Sequence, residues 1–309
     1  MNVGFQVLLA LVLLGYFTLL ERKLLGYGQL RKGPNKGVVL GLVQPLLDGF
    51  KLFMKGFVGV YWGGSGSFYV MPGLGLVIVL FLWGAVYGMV GVWHLAGVLY
   101  VVMFLSALVS LLFFMSGWVS GCGYGGVGAL RALAQALTYE GVMVFMLMSV
   151  MALNFSSSFI EGSFMLGIKM VVMAMLVVSV VMESSRTPVD FVEGESELVS
   201  GLATEFGGLS FTFLFLIEYG VMSFYALVVA LVWSGMGGIS VGVVMSSLAL
   251  MVLLNWLRLS LPRSRYDLVM EWGWKVAMGL VFFVLVFISS AVSFFFGAGE
   301  GLVDVEGGG

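Results

Sequence analysis

The sequence predicts an all-α polytopic membrane protein with about eight transmembrane helices and an amphipathic interfacial helix in the first inner loop. Of its 309 residues, 61% are hydrophobic and only 10% are charged, and the mean hydropathy is +1.12. These values lie far outside the range of soluble globular proteins. The apolar residues also fall in runs of roughly 20, which is the length that a helix needs to cross a membrane.

Eight runs meet this length, and an even number of spans places both chain ends on one side. The loops predicted for the other side, with the helix turns beside them, hold 13 of the 14 lysines and arginines, and only Lys169 lies opposite. By the positive-inside rule these loops face the cytoplasm or the mitochondrial matrix. A single membrane domain, 1–309, is expected, with spans at 2–20, 69–92, 95–117, 131–153, 166–184, 208–232, 239–257 and 273–296, functional inner loops at 21–68 and 185–207, and a flexible tail at 297–309.

The first apolar run has no basic segment before it, and charged residues follow it where a cleavage site would have small ones. It is therefore expected to be the first membrane helix and not a targeting peptide. Cys122 and His94 are the only cysteine and histidine. One thiol and one imidazole exclude a disulfide framework, an iron–sulfur cluster held by this chain and a bis-histidine haem. No metal site is expected.

The first inner loop contains a short amphipathic segment at 44–55. Leu46, Leu47 and Phe50 fall on one helical face, and Asp48 and Lys51 fall on the other. Twelve residues are too few to span a membrane. A helix in the headgroup plane and a helix packed on a partner subunit are equally compatible with this pattern.

Two features predict how the spans pack. Pro72 is expected at a helix start and the other four prolines in inner loops, so the spans should be mostly unbroken. Ala132 and Ala136 have the small-xxx-small spacing that lets another helix approach closely. They precede Glu140 on the fourth span, so this acid is expected to face protein or internal water.

Three acids are predicted inside consecutive spans. Glu140 lies nine residues after Arg131, hence ~13 Å along the fourth span, while Glu218 lies within the sixth and Glu183 closes the fifth. Acids in membrane segments usually mark ion, proton or ligand pathways. Burial and like-charged neighbours both favour a carboxylate that exchanges protons near neutral pH. The structural alternative is a neutral or paired carboxylate that links helices.

An acidic loop follows the fifth span, with four carboxylates within eight residues. Three of them alternate, so an extended backbone would align them and their titrations should be coupled. Arg186 is close enough in sequence to Glu183 and Asp190 to act as a counter-ion, but the sequence does not choose its partner. The four acids are Asp190, Glu193, Glu195 and Glu197.

A second group of charges precedes and enters the last span. It is compatible with a solvated cluster near the inner face or with a functional role. Its members are Arg263, Arg265, Asp267 and Lys275, with Glu271 between them.

These motifs resemble subunit 1 of respiratory complex I, the membrane subunit of NADH:ubiquinone oxidoreductase nearest the quinone. The resemblance covers nearly the whole chain, and the composition is similar to that of mitochondrially encoded members. The motifs that carry it are Glu21-Arg22-Lys23-Leu24-Leu25-Gly26-Tyr27, Gln44-Pro45, Tyr139-Glu140, Arg186-Thr187-Pro188, Glu193-Gly194-Glu195-Ser196-Glu197, Glu218-Tyr219 and Arg263-Ser264-Arg265-Tyr266-Asp267.

The resemblance implies a proton path that links the quinone cavity to the proton-pumping arm. Its acids would be Glu140, Glu183, Asp190, Glu193, Glu195, Glu197, Glu205 and Glu218. It also implies a quinone entry and tunnel wall. That wall would include Arg22, Lys23, Asp48, Phe50 and Arg186.

The resemblance further implies that this chain binds no cofactor of its own and has no complete redox site. Ubiquinone would be the substrate, and FMN and the iron–sulfur clusters would lie in partner subunits. Its partners would be the other membrane and peripheral-arm subunits of complex I and membrane lipids, with no nucleic acid. The location implied is the mitochondrial inner membrane, with several passes.

The chain departs from the family pattern at Ser185, Val189, Phe206 and Gly56-Phe57, which affects the fine detail of the tunnel wall. Two other functions are compatible with the embedded acids. One is the equivalent subunit of a related hydrogenase-type complex. The other is a stand-alone proton-coupled transporter, which should show broken helices or inverted repeats at the midplane.

Overall fold

The computed structural model describes residues 3–35, 41–55, 65–91, 95–156, 163–184, 186–191, 202, 205–234, 240–290 and 293, and these contain nine helices and no strand. Six of the helices are long and apolar enough to cross a membrane, namely α3, α4, α5, α7, α8 and α9. The all-α polytopic membrane fold is therefore confirmed. The helices are α1 (Val3–Gly28), α2 (Gln44–Met54), α3 (Ser65–Gly91), α4 (Leu95–Val119), α5 (Gly123–Ser156), α6 (Ser163–Glu183), α7 (Leu209–Trp233), α8 (Val241–Ser260) and α9 (Tyr266–Ser290).

Helix α7 is the central element of the bundle. It packs against α1, α2, α3, α6 and α8, while α3, α4, α5 and α6 each pack against the next helix along the chain. Within the apolar stretch of α7, 72% is buried inside the bundle, whereas only 22% of the apolar stretch of α9 is buried. Apolar side chains cover most of its circumference, as expected for a helix with protein on all sides. Residues on α7 are therefore in a position to contact side chains from most of the chain.

Two helices extend further than the apolar runs predict. Helix α1 continues through Glu21, Arg22 and Lys23 to Gly28, and α5 begins at Gly123, eight residues before Arg131. The predicted loop at 118–130 is therefore reduced to a short connection between α4 and α5. Hydropathy identifies only the apolar part of a helix. The helix itself can continue beyond that part through turns that carry charged residues.

The predicted place of Pro72 is wrong. Helix α3 begins at Ser65, so Pro72 lies inside it. A proline in a membrane helix is tolerated because neighbouring groups compensate for the missing backbone donor. The four other prolines do not interrupt a long helix; Pro45 lies in the first turn of α2.

The close approach of α4 and α5 occurs one turn before the predicted alanine pair. A Cβ atom on Gly117 would lie 2.5 Å from the Cβ of Ala129, so the two backbones almost touch there. Ala132 and Ala136 instead line a cavity beyond that contact. Their small side chains leave space rather than filling a helix interface.

Helix α9 packs against α5 beside Glu140 and forms a hydrogen bond with that helix. The hydroxyl of Tyr139, which is fully buried, donates to the carbonyl oxygen of Val269 at 2.7 Å. A π-helical turn, Trp272–Ala277, follows, and a Cβ on Gly273 would lie 2.8 Å from Thr138 Cγ2. The absent side chain of Gly273 therefore allows α9 to lie directly against Tyr139.

Replacing Gly220 with alanine is expected to destabilise the bundle by about 1–3 kcal/mol, because overpacking forces neighbouring atoms apart. The added Cβ would lie 2.4 Å from Val79 Cγ1 at the contact of α7 and α3. Thermal inactivation of the purified assembly measures the effect. Gly84→Ala on α3 is the matched control, since its Cβ meets nothing within 4 Å. Equal inactivation temperatures for the two variants would contradict the expected crowding.

Candidate functional site

A cavity of about 60 Å³ lies among α4, α5, α6 and α7. We call it the acid cavity. Its size gives room for several water molecules. The polar side chains that line it are Ser106, Ser110, Glu183, Ser184, Glu218 and Tyr225.

Glu183 places a carboxylate at the wall of the acid cavity. It is the last residue of α6, and its Oε2 atom is buried without a hydrogen-bond partner among the described residues. A buried carboxylate oxygen needs a donor, and water in the cavity can supply one. The site is thus suited to a carboxyl group that exchanges hydrogen bonds with mobile water.

Glu140 reaches the same cavity through Ser106. Its Oε1 lies 3.0 Å from the Ser106 hydroxyl, which lines the cavity from α4. Glu140 also lies within electrostatic range of Glu183, and Tyr225 of α7 contacts Ser106. The acids predicted on three consecutive spans are therefore brought to one place, because Glu218 also lines the cavity.

A group of buried charges adjoins the cavity at Glu218. We call Glu21, Arg186, Glu218 and Arg258 the Arg186 network. Arg186 Nη2 lies 3.0 Å from Glu218 Oε2 and its Nη1 lies 3.6 Å from Glu21 Oε1. Arg258 forms an ion pair with the same Glu21 oxygen. The network thus joins α1, α7, α8 and the segment after α6.

Three of the four side chains of the network are almost removed from solvent, whereas Arg258 is 31% exposed. The side chains of Glu21, Glu218 and Arg186 are 5%, 12% and 14% exposed. The guanidinium of Arg186 also lies 4.3 Å from the centre of the Tyr219 ring, a cation–π contact. Buried charges of this kind are tolerated only when each has a partner. Each acid here has at least one arginine, and Arg186 has two acids.

Glu218 connects the two features, since it both lines the acid cavity and pairs with Arg186. Polar groups therefore extend from Glu140, at the middle of α5, through Ser106 and across the acid cavity to Glu218, and then through Arg186 and Glu21 to Arg258 in the last turn of α8. Such an arrangement can carry a change of charge or hydrogen bonding from one end to the other.

The predicted acidic loop is only partly described. Asp190 lies 3.4 Å from Arg263, and Ser264 donates from both its backbone nitrogen and its hydroxyl to the carbonyl oxygen of Pro188. Glu205 is exposed. Glu193, Glu195 and Glu197 lie outside the described residues. The segment 186–191 is therefore bound to the segment that precedes α9.

Four of the five residues predicted for the quinone wall lie on α1 and α2, and the fifth, Arg186, lies on the segment after α6. Arg22 pairs with Asp48 at 2.7 Å, and Gln44 donates to the other oxygen of Asp48. Phe50 is 66% exposed, whereas Lys23 is half-buried. Only Arg186, of the five predicted residues, belongs to the buried network.

The charges predicted near the inner face pair locally. Arg265 lies 3.1 Å from Asp267, and Lys275 lies 3.0 Å from Glu271, and all four side chains are mostly exposed. Exposed pairs of this kind contribute about 0–1 kcal/mol. Their geometry fits a solvated face; Arg263 differs because it binds Asp190.

Sequence reasoning did not assign roles to several residues of the site. Glu21 and Arg258 are 237 positions apart, and no local pattern pairs them. Ser106 and Tyr225 occur singly in apolar helices, where hydroxyl groups are common. The one available signal is that Glu21 is an acid in the turn that ends the first apolar run.

Within the described ranges, no group of three or more histidine, cysteine, aspartate and glutamate side chains is arranged to hold a metal ion. The acid cavity instead combines carboxyl and hydroxyl groups, which accept and donate protons. Both kinds of group can form hydrogen bonds with water.

Comparisons with known proteins point to one family. A family model described as NADH dehydrogenase matches residues 2–289. NADH-ubiquinone oxidoreductase chain 1 of Heterololigo bleekeri is 41% identical over 296 residues, covering 92% of this chain and 94% of the relative. The proteins of the same name from Lampetra fluviatilis and Branchiostoma lanceolatum are 37% and 36% identical, and the alignments cover 93% and 94% of this chain and 94% and 95% of the relatives.

Proposed function

The chain belongs to the NADH dehydrogenase family, and from this premise we propose that it is the membrane subunit of NADH:ubiquinone oxidoreductase that couples quinone reduction to proton translocation. Its relatives carry the name of that enzyme's chain 1. We further propose that it lies in the mitochondrial inner membrane, assembled with the other membrane and peripheral-arm subunits of complex I and with lipid.

One observation carries the proposal: three acids from three helices meet at the acid cavity, and the Arg186 network adjoins it. Isolated structural acids would be paired separately along the bundle. Here Glu183 and Glu218 line a space that is large enough for water, and Glu140 is linked to that space through the Ser106 hydroxyl. Proton paths through membrane proteins are usually formed by carboxyl groups and the water molecules between them.

The coupling proposed is electrostatic. Ubiquinone takes up electrons from the clusters of partner subunits, and the charge near the inner loops changes as it does so. Moving one charge against 100 mV costs about 2.3 kcal/mol. Breaking a buried ion pair costs about 3–5 kcal/mol. The free energy released or required when Arg186 changes its partner is therefore large enough to drive the movement of one proton beyond Glu218.

The electron chemistry itself belongs to partner subunits. The one cysteine in this sequence, Cys122, is too few to hold an iron–sulfur cluster, which needs several thiolates. We assign FMN and the clusters to those partners, and ubiquinone to the enzyme as substrate. This chain contributes the wall along which the quinone enters, with α2, Arg22 and Lys23 on one side and the 186–191 segment on the other.

The stand-alone transporter is less well supported. It predicts discontinuous helices at the midplane, whereas α4, α5 and α7, which carry most of the cavity wall, are continuous from end to end. The names of the relatives also favour an oxidoreductase subunit.

A photoreactive quinone tests the proposed wall in the intact complex. Light-dependent labelling is expected within residues 21–55 or 185–207, and free ubiquinone should reduce it at least about tenfold if both bind one site. Peptides from α9, which faces outward from the bundle, serve as the internal control for non-specific labelling by a hydrophobic reagent. Labelling that free quinone does not reduce, or that falls equally on α9, would contradict a quinone wall in these loops.

A further inference from the structure

A second, smaller cavity of about 10 Å³ lies beside the Arg186 network. We call it the Asn255 chamber. Its walls come from α1, α6, α7, α8 and the segment after α6. The polar side chains that line it are Glu21, Ser184, Arg186, Thr187, Asn255 and Arg258.

Two of these side chains have buried polar atoms without a partner among the described residues, namely Asn255 Nδ2 and Thr187 Oγ1. Asn255 is only 2% exposed. Leaving a buried amide without a hydrogen bond costs about 1–3 kcal/mol. Asn255 and Thr187 lie on different segments and face the same small space, so a single small molecule there can satisfy both.

We infer that the Asn255 chamber is a binding site for one ordered water molecule, which joins Asn255 and Thr187 to the Arg186 network. The volume is about that needed for one water. The molecule has at least three groups for hydrogen bonding, because the Glu21 carboxylate is also in the wall. Buried waters typically make two to four such bonds.

The charges around the chamber favour a neutral molecule. The guanidinium groups of Arg186 and Arg258 would repel a cation, and the Glu21 carboxylate would repel an anion. The arginines only donate hydrogen bonds and the carboxylate only accepts them. Water does both, so it also satisfies the Asn255 amide in either orientation of its oxygen and nitrogen.

The water would hold the position of the Glu21–Arg258 pair. Asn255 lies one turn before Arg258 on α8, so a bond through the water fixes this turn against the segment that carries Thr187. Ser184 lines both the Asn255 chamber and the acid cavity, and thus forms part of the wall between them. This inference is independent of the proposed function, since it concerns hydration of the network and not its role in pumping.

Cryo-electron microscopy of the intact complex, at a resolution that shows ordered water, tests the site directly. One density peak is expected about 2.7–3.2 Å from both the Asn255 amide and Thr187 Oγ1. A chamber without a peak in the unmodified complex would overturn the inference, whether or not any variant assembles. A peak that bromide replaces would also overturn it, because the occupant would then be an anion.

Variants provide the second measurement. Asn255→Leu and Thr187→Val should each lose the peak, since each removes a polar partner. Ser247→Ala is the matched control: Ser247 is buried on the same helix but bonds within it to the carbonyl oxygen of Val244, so the peak should remain. A peak that persists in both Asn255→Leu and Thr187→Val would contradict the assigned partners.

Discussion

Replacing Arg186 with methionine is expected to destabilise the bundle by about 3–5 kcal/mol, which is the usual cost of removing one partner of a buried ion pair. Methionine keeps the apolar length of the side chain but leaves Glu218 without its 3.0 Å partner. It also removes one of the two arginines near Glu21. The yield and thermal inactivation of the assembled complex measure the loss.

Two comparisons separate the loss of this charge from a general effect of removing arginine. Arg265→Met removes an arginine that is 77% exposed and should change stability by about 1 kcal/mol or less. Adding Glu218→Gln to Arg186→Met should recover part of the loss, because the charge that Arg186 compensated is removed and paired sites are not additive. If Arg186→Met were as stable as Arg265→Met, the Arg186 network would not contribute as proposed.

Replacing Glu183 with glutamine is expected to lower quinone-linked proton pumping by about a hundredfold or more, the usual effect of losing a positioned proton-transfer group. Glutamine has nearly the same shape but cannot take up and release a proton at neutral pH. Oε2 of Glu183 has no hydrogen-bond partner among the described residues, so the substitution breaks no contact that the structure records for that atom. Acidification by the complex reconstituted in vesicles, compared with its NADH oxidation, measures the effect.

Glu271→Gln is the matched control for that substitution. Glu271 is 63% exposed and pairs with Lys275 on the surface of α9, so pumping should stay within about twofold of the unmodified complex. Full pumping by Glu183→Gln would show that the acid cavity does not carry the protons.

The features predicted correctly from sequence are those that depend on local composition. The apolar runs predict an all-α membrane protein, and six of the described helices are long and apolar enough to cross a membrane, because a span must be apolar along its whole length. The amphipathic pattern located α2 within one residue of its end, Met54. The ends of α1 and α5 were missed because charged turns continue a helix without being apolar.

The sequence predicts which acids are embedded in the membrane helices, but it does not predict the side chains that they contact. Glu140, Glu183 and Glu218 stood out because ionisable residues are rare in apolar helices. The pairing of Arg186 with Glu218 and Glu21 depends on how helices far apart in sequence pack. Ser106 and Asn255 carry no local signal, since their importance comes from the cavities that they face.

The pairing of Glu21 with Arg258 has a consequence for biosynthesis, because 237 positions separate the two residues. At translation rates of about 5–20 residues per second, Arg258 emerges roughly 10–50 s after Glu21. During that interval α1 would occupy the insertion machinery or the bilayer with an acid whose final counter-ion does not yet exist. Arg186, the other arginine near Glu21, precedes Arg258 along the chain. The nascent chain must therefore keep Glu21 near water or beside a protein of the insertion apparatus until these arginines arrive.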